Sequence, residues 1–390
     1  MAYSFKKVLM AVAASFVTVT SLASAFGGGY NYGGPVYGGP AGGPVYDGNN
    51  GCCPQTCNPC GKDCGDFFVD VDVLYWKACE GGLTYGSETE FNELITATTF
   101  ATYETKKKNP HFRWDVGVRV GLGYHFACEC YDAAIYWTHF DTDAHGHHDE
   151  FVDGGNWFTP AWGGVTPLLG GTTEGTFGVE RASAHWKLRL NLIDLEVGRE
   201  FCVNSCLSLR PFIGVRGAII DQRYDLEYIA IDVDPTLPSP IDRLRLKSNF
   251  EGAGIRCGLD TVYNLGCGLS LFGDLAGSLI WGESEVKTQE EYEATPAPTS
   301  SFTDVHQKDR DCGSRAITDA AIGVRWQQCC CNKLITLEVG WEHHFFFNNN
   351  NFEKFTNFGS GENAATDRFP QDIHGDLSVQ GFVFSAKLEF

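Results

Sequence analysis

The stretch 141–150, DTDAHGHHDE, brings together Asp141, Asp143, His145, His147, His148, Asp149 and Glu150. These residue types ligate divalent metals. The stretch is read as part of an exposed connection, where solvated polar side chains are ordinary, so no metal is assigned to it. In CCPQTCNPCGKDC, Cys57 and Cys60 form a single Cys-x-x-Cys. A structural zinc site usually needs two such pairs, so disulfide chemistry is the expectation there. Gly117, Gly121 and Gly123 alternate within a strand pattern with no helix after them, which is not how a phosphate loop is built. No catalytic constellation is present. The chain is read as a non-enzyme without a cofactor.

A second group of residues is chemical through its phase. Arg113, Arg119, Arg210, Arg216 and Arg325, with Asp70, Asp72, Asp115, Asp319, Glu338 and Glu342, alternate with apolar neighbours. The element that positions them is an extended strand, whose side chains point to opposite faces in turn. In FRWDVGVRVGLGYHF, Phe112, Trp114, Val116, Val118, Val120, Leu122, Tyr124 and Phe126 share one face. Arg113, Asp115 and Arg119 lie on the other. The apolar face is aromatic at its ends and aliphatic between, as a bilayer with two interfaces requires. Charges facing lipid would cost about 2–4 kcal/mol each at mid-depth for Arg or Lys. They must therefore face a lumen, either lining a water-filled path or pairing across a plugged barrel.

The same alternation recurs at 66–76, 131–140, 207–220, 249–263, 267–282, 315–327, 334–347 and 381–390. In 184–200 the apolar phase passes from Trp186, Leu188, Leu190 and Leu192 to Ile193, Leu195 and Val197, for which a β-bulge is expected. The fold expected is all-β: a transmembrane antiparallel barrel with at least ten strands evident. Room for further hairpins is seen around LITATTFATYET and YDLEYIAI. The last strand, GFVFSAKLEF, closes the barrel against the first, because an open edge would invite aggregation.

Composition agrees. Residues 1–25 read as a secretory signal peptide: Lys6 and Lys7, an apolar run, and Ala23-Ser24-Ala25 before the cut. Without it, 27 basic residues face 49 acidic ones, a net charge of −22. Nucleic acid is thereby excluded as a partner. No later stretch is apolar for the ~18 residues a membrane helix needs. Residues 26–65 are a tether, rich in Gly, Pro and Tyr and ending in the cysteine cluster, with the barrel at 66–390. Short connections (127–130, 202–206, 264–267, 328–332) alternate with long ones (78–111, 141–183, 221–248, 283–314, 348–378). Short turns belong to the periplasmic side and long loops to the outside. That places Cys52, Cys53, Cys57, Cys60, Cys64, Cys128, Cys130, Cys202, Cys206, Cys267, Cys329, Cys330 and Cys331 in an oxidising compartment, as disulfide candidates. Only Cys79, Cys257 and Cys312 of the 16 cysteines fall elsewhere.

The opening strand FFVDVDVLYWKACEGGLTYG, the segment CGLSLFGDLAGSLIWG and the aromatic terminal strand resemble the major outer-membrane porin-like proteins of chlamydia-related bacteria. They are similar, too, to the pore-forming outer-membrane family known from Legionella. The resemblance covers about residues 66–390. It implies about 16 strands, location in the bacterial outer membrane, diffusion of ions and small hydrophilic solutes, and a disulfide-linked envelope. Phe390 resembles the terminal signal read by the barrel-assembly machinery. Expected partners are that machinery and outer-membrane lipid. Cysteine-rich envelope proteins and further copies of the chain, as an oligomer such as a trimer, are candidates. The alternative is a cysteine-cross-linked coat protein or an adhesin with an incidental or plugged pore.

Overall fold

The computed structural model describes residues 66–95, 100–126, 130–149, 157–162, 179–204, 206–230, 239, 241–294, 301–330, 333–357, 368–372 and 375–390. The expected signal peptide and tether lie outside the described residues. Ten strands form one ring. They are β1 (Asp66–Glu80), β2 (Trp114–His125), β3 (Tyr131–Asp149), β4 (Val179–Arg199), β5 (Leu207–Ala230), β6 (Ile241–Gly266), β7 (Leu269–Ala294), β8 (Ser301–Cys330), β9 (Lys333–Phe346) and β10 (Leu377–Glu389). Each pairs antiparallel with its chain neighbour, and β10 pairs with β1 from Phe68↔Glu389 to Glu80↔Leu377. The edge is closed as expected. Phe390 completes the seam: its N–H donates to the Phe67 carbonyl at 2.9 Å, and its own carbonyl accepts from Phe67 N–H at 3.1 Å.

Ten staves, not about 16, close the barrel. Of the two extra hairpins expected, one exists outside the ring: strands Gly86–Ile95 and Phe100–Lys108 pair with each other and with Trp157–Pro160 in a small sheet. The other falls, over 224–230, in the upper part of β5 itself. A further hairpin joins Glu353–Asn357 to Arg368–Asp372.

Several connections expected to be long loops are largely strand. Residues 141–149 continue β3, and β5 to β8 run for 24, 26, 26 and 30 residues. Strands this long reach well past a bilayer, which needs about 9–11 tilted residues. The reason the sequence hides them is an inversion of polarity. At membrane level the outward side chains are apolar: Val71 and Val73 on β1, Ile135 on β3, Ile213 on β5, Ile255 on β6, Leu275 on β7, Ile322 on β8. Aromatic residues mark the upper limit of this band, with Tyr75 stacked on Trp114 at 5.3 Å and Trp341 edge-on to Phe382 at 5.0 Å. Above it the apolar face turns inward. Phe140, Leu190, Ile220 and Phe250 stand side by side on four neighbouring staves, all buried. The next residues outward form a polar and largely charged row: Asp141, Arg189, Asp221, Asn249, Glu285, Arg310. The barrel is inside-out in lipid and inside-in above it, because the apolar side must leave water in each case.

No bulge accompanies this inversion in β4. Pairing with β3 and β5 runs unbroken through Leu192 and Ile193. Both residues keep their own faces, and only the environment changes. The bulge lies elsewhere. Phe112 opposes Ala144 and Gly117 opposes Phe140, so residues 113–116 face only 141–143. The phase of the strand therefore slips between Phe112, which packs inward edge-on to Trp186 at 5.4 Å, and Trp114, which faces out.

Candidate functional site in the barrel lumen

At membrane level, charged side chains at inward positions of seven staves are linked in one network. Arg119 on β2 donates from Nη1 to Asp72 on β1 at 3.1 Å, and from Nη1 and Nη2 to both oxygens of Glu342 on β9 at 2.9 and 2.8 Å. His344, also on β9, joins Glu342 (3.3 Å) to Asp319 on β8 (2.8 Å). Arg216 on β5 grips Asp194 on β4 with Nε and Nη2 at 2.6 and 2.8 Å, and reaches Asp319 with Nη1 at 2.8 Å. Arg256 on β6 bridges Asp319 (2.7 Å) and Glu196 (3.0 Å). Arg216 is only 2% exposed, so this is a packed network and not a hydrated wall. Two-pronged arginine–carboxylate pairs are the strong form of this interaction and fix geometry as well as charge.

Nearer the short turns a second group lies below the first. Arg210 on β5 holds Asp132 on β3 at 2.8 and 2.5 Å and Asp260 on β6 at 2.5 Å. Arg325 donates to Glu338 at 2.6 Å, and Asp70 accepts from Ser385 at 2.8 Å. Of the residues expected to line the lumen, Arg119, Arg210, Arg216, Arg325, Asp70, Asp72, Asp319, Glu338 and Glu342 all face it. Arg113 does not: it sits at the bulge and pairs with Asp143 on the outer surface. Asp115, at the same bulge, stands opposite the inward-facing Trp76, accepts from the buried Thr142 at 2.6 Å and lies 3.4 Å from Arg113. Asp132, Asp194, Glu196, Arg256, Asp260, Asp274 and His344 were not singled out in the sequence. Their signal was the one used for the others, alternation with apolar neighbours such as Ile193–Leu195 or Ile255–Leu259.

Above the charges the lumen is closed by apolar packing. Trp76 lies 5.5 Å from Phe140 and 4.8 Å from the ring of His344, and so caps the network. Two connections fold into the mouth. Tyr224 and Tyr228 donate to the carbonyls of Leu83 and Tyr85 at 2.8 and 2.6 Å. Asn349 donates to Glu80 at 3.1 Å and accepts from Arg315 at 2.5 Å. Burial pushes the Glu80 carboxyl up to about 8, against the pull of Asn349 and Arg315.

The short turns gather at the opposite end. Cys130 and Cys267 occupy them with φ of 56° and 54°, and adjacent turns touch through Glu200 N–H to the Cys130 carbonyl (3.0 Å) and Asn264 N–H to the Cys206 carbonyl (2.6 Å). Cys202 lies in the same region. Cys52, Cys53, Cys57, Cys60, Cys64, Cys128 and Cys331 lie outside the described residues, while Cys329 and Cys330 close β8 through their backbones. Cys79, Cys257 and Cys312, the three expected away from this end, are free thiols there.

A model of the family described as the Legionella pneumophila major outer membrane protein precursor matches residues 58–390. No curated protein matches the sequence. Among solved structures, the chain is similar to the outer membrane protease OmpT of Escherichia coli, at 11% identity and a TM-score of 0.33, covering 83% of this chain and 96% of that one. It is similar to a major outer membrane protein of Thermus thermophilus, at 13% identity and a TM-score of 0.30, over 84% and 99% of the two chains. A third likeness is to the toluene transporter TodX of Pseudomonas putida, at 8% identity and a TM-score of 0.21, over 87% and 94%.

Proposed function

The chain belongs to the family of the Legionella major outer membrane protein, and from that premise we propose that it is an outer-membrane pore for ions and small hydrophilic solutes, closed in the conformation described. The observation that carries this reading is the contrast between the two layers of the lumen. Where strength alone is wanted, apolar residues of similar volume serve as well as buried ion pairs, or better. The barrel does fill its upper layer with Trp76, Phe140, Trp186 and Ile220. At membrane depth it instead keeps Arg119, Arg216 and Arg256 among Asp72, Asp194, Glu196, Asp319 and Glu342. A polar track at that depth is what passage of hydrated solutes requires, with selectivity set by the charges along it. Opening needs the mouth segments to withdraw and the charge pairs to part. The protein would act by passive diffusion and not as an enzyme.

The packed upper layer favours a second reading, a sealed barrel serving as a coat protein or adhesin. In either reading the periplasmic cysteines would be oxidised and tie the barrel into the envelope. Planar-bilayer recording of folded, heat-modifiable protein separates the two. Discrete current steps that rise when the mouth is loosened are expected of the pore. Folded protein that gives no steps at either polarity, and no solute flux in liposome swelling, would leave the sealed barrel as the function.

A further inference from the structure

The acidic, histidine-rich stretch 141–149 is not a loop. It is the upper part of β3, and the pleat sorts it: His148 turns inward, buried against Phe158, while Asp141, Asp143, His145, His147 and Asp149 point outward above the membrane band. Register then brings in partners from both sides. His145 stands directly opposite His185 on β4, and opposite His111 on the short strand His111–Phe112. Three imidazoles lie abreast on three strands. Asp143 is two residues from His145 on the same face.

We propose that Asp143, His145 and His185 form a binding site for a first-row divalent transition metal, of which zinc is the type, on the outer surface of the barrel. Two ligands at positions i and i+2 of one strand and a third directly across from the latter converge without backbone movement, because all three share one face at neighbouring pleats. Their ligand atoms lie within 4.8 Å of one another. His145 Nε2 is 2.6 Å, and His185 Nε2 3.9 Å, from Asp143 Oδ2. Asp143 divides its work: Oδ1 takes Arg113, and Oδ2 faces the histidines. The Nε2 atom of His185 is shielded from water and has no hydrogen-bond partner among the described residues, an unusual condition for a ring nitrogen, which a metal would satisfy. The two imidazoles stack at 4.1 Å and 17°, which brings their ring nitrogens to the same side of the sheet. Two imidazoles and a carboxylate match zinc and its neighbours, not calcium or magnesium, which take oxygen. Three protein ligands leave a position open for water or for His111.

The test uses the folded full-length barrel in detergent, stripped with chelator and with its thiols alkylated. Zinc is titrated calorimetrically, and cobalt is used as a coloured probe. One ion per chain is expected, with affinity lowered about tenfold or more in His145→Ala and in His185→Ala, because each removes one of three ligands. His139→Ala, on the same strand but outside the trio, should bind as the unaltered protein does. Heat-modifiable migration on gels verifies that each variant is folded. The absence of saturable binding would overturn the proposal, as would binding that His145→Ala and His185→Ala leave unchanged.

Discussion

Arg119 and Glu342 form a two-pronged pair at 2.9 and 2.8 Å although their strands, β2 and β9, are separated by both β1 and β10. The contact crosses the chain's closing seam, 223 residues apart in sequence. It ties the N-terminal and C-terminal parts of the barrel through the lumen as well as through the backbone. Arg216 and Asp319 likewise reach across two intervening staves, β6 and β7.

Replacing Arg119 and Arg216 together with Ser is expected to leave Asp72, Glu342, Asp194 and part of Asp319 uncompensated. The lumen, already richer in carboxylates than in arginines, becomes more acidic, so reversal potential in a salt gradient should move toward cations and unit conductance should rise. Stability should fall by about 3–5 kcal/mol for each broken buried pair. Recording in planar bilayers together with urea unfolding checks both. Unchanged selectivity would show that ions do not pass these side chains.

Trp186 is fully buried in the upper layer and donates from Nε1 to Gln222 at 3.0 Å. Trp186→Ala should cost about 3–5 kcal/mol through lost burial and the cavity left behind. It should raise the probability of current steps, since it thins the apolar stopper. Ile213→Ala, on the lipid face, should leave conductance unaltered. A Trp186→Ala barrel that is less stable yet no more conductive would place the closed point elsewhere.

Asp242 lies inside the upper barrel beyond the membrane band, with no exposed surface and no hydrogen-bond partner for either carboxyl oxygen among the described residues. Burial, and next the nearby Glu290, push it up to about 8. The fold therefore holds this proton more tightly than the unfolded chain. The stability it contributes is complete below about pH 4 and is lost as pH rises toward 8. Asp242→Asn should raise the free energy of unfolding at pH 8 by about 1–3 kcal/mol and change it little at pH 4. Equal effects at the two pH values would mean that the carboxyl is not protonated in the fold.

Cysteine labelling reports the topology. In unfolded, unreduced protein, a maleimide should reach Cys79, Cys257 and Cys312 first. On intact cells an impermeant reagent should label Cys312, which is exposed on the outer part of β8, and leave Cys202 and Cys206 untouched. Non-reducing electrophoresis of whole envelopes should show species larger than the monomer. Labelling of Cys202 from outside would invert the orientation of the barrel.

The amino-acid sequence by itself determined the fold class and the lipid face. Period-two alternation is local, and every residue of GFVFSAKLEF or FFVDVDVLYW reveals its side through its immediate neighbours. That is why residues such as Asp72, Arg119, Arg216 and Glu342 can be assigned to the inner face. Arg113, which pairs with Asp143 on the outer surface, sits at a bulge that no neighbouring residue announces. The tertiary structure alone decided the number of staves and the partner of each charge, since Arg216 meets Asp319 only after register and closure are fixed across 103 residues. It decided, too, that the phase change at Leu192–Ile193 is a change of surroundings and not of backbone. An apolar side chain has one rule, to leave water. Whether lipid or the barrel interior is the place to go depends on height above the membrane, and a sequence does not carry that coordinate.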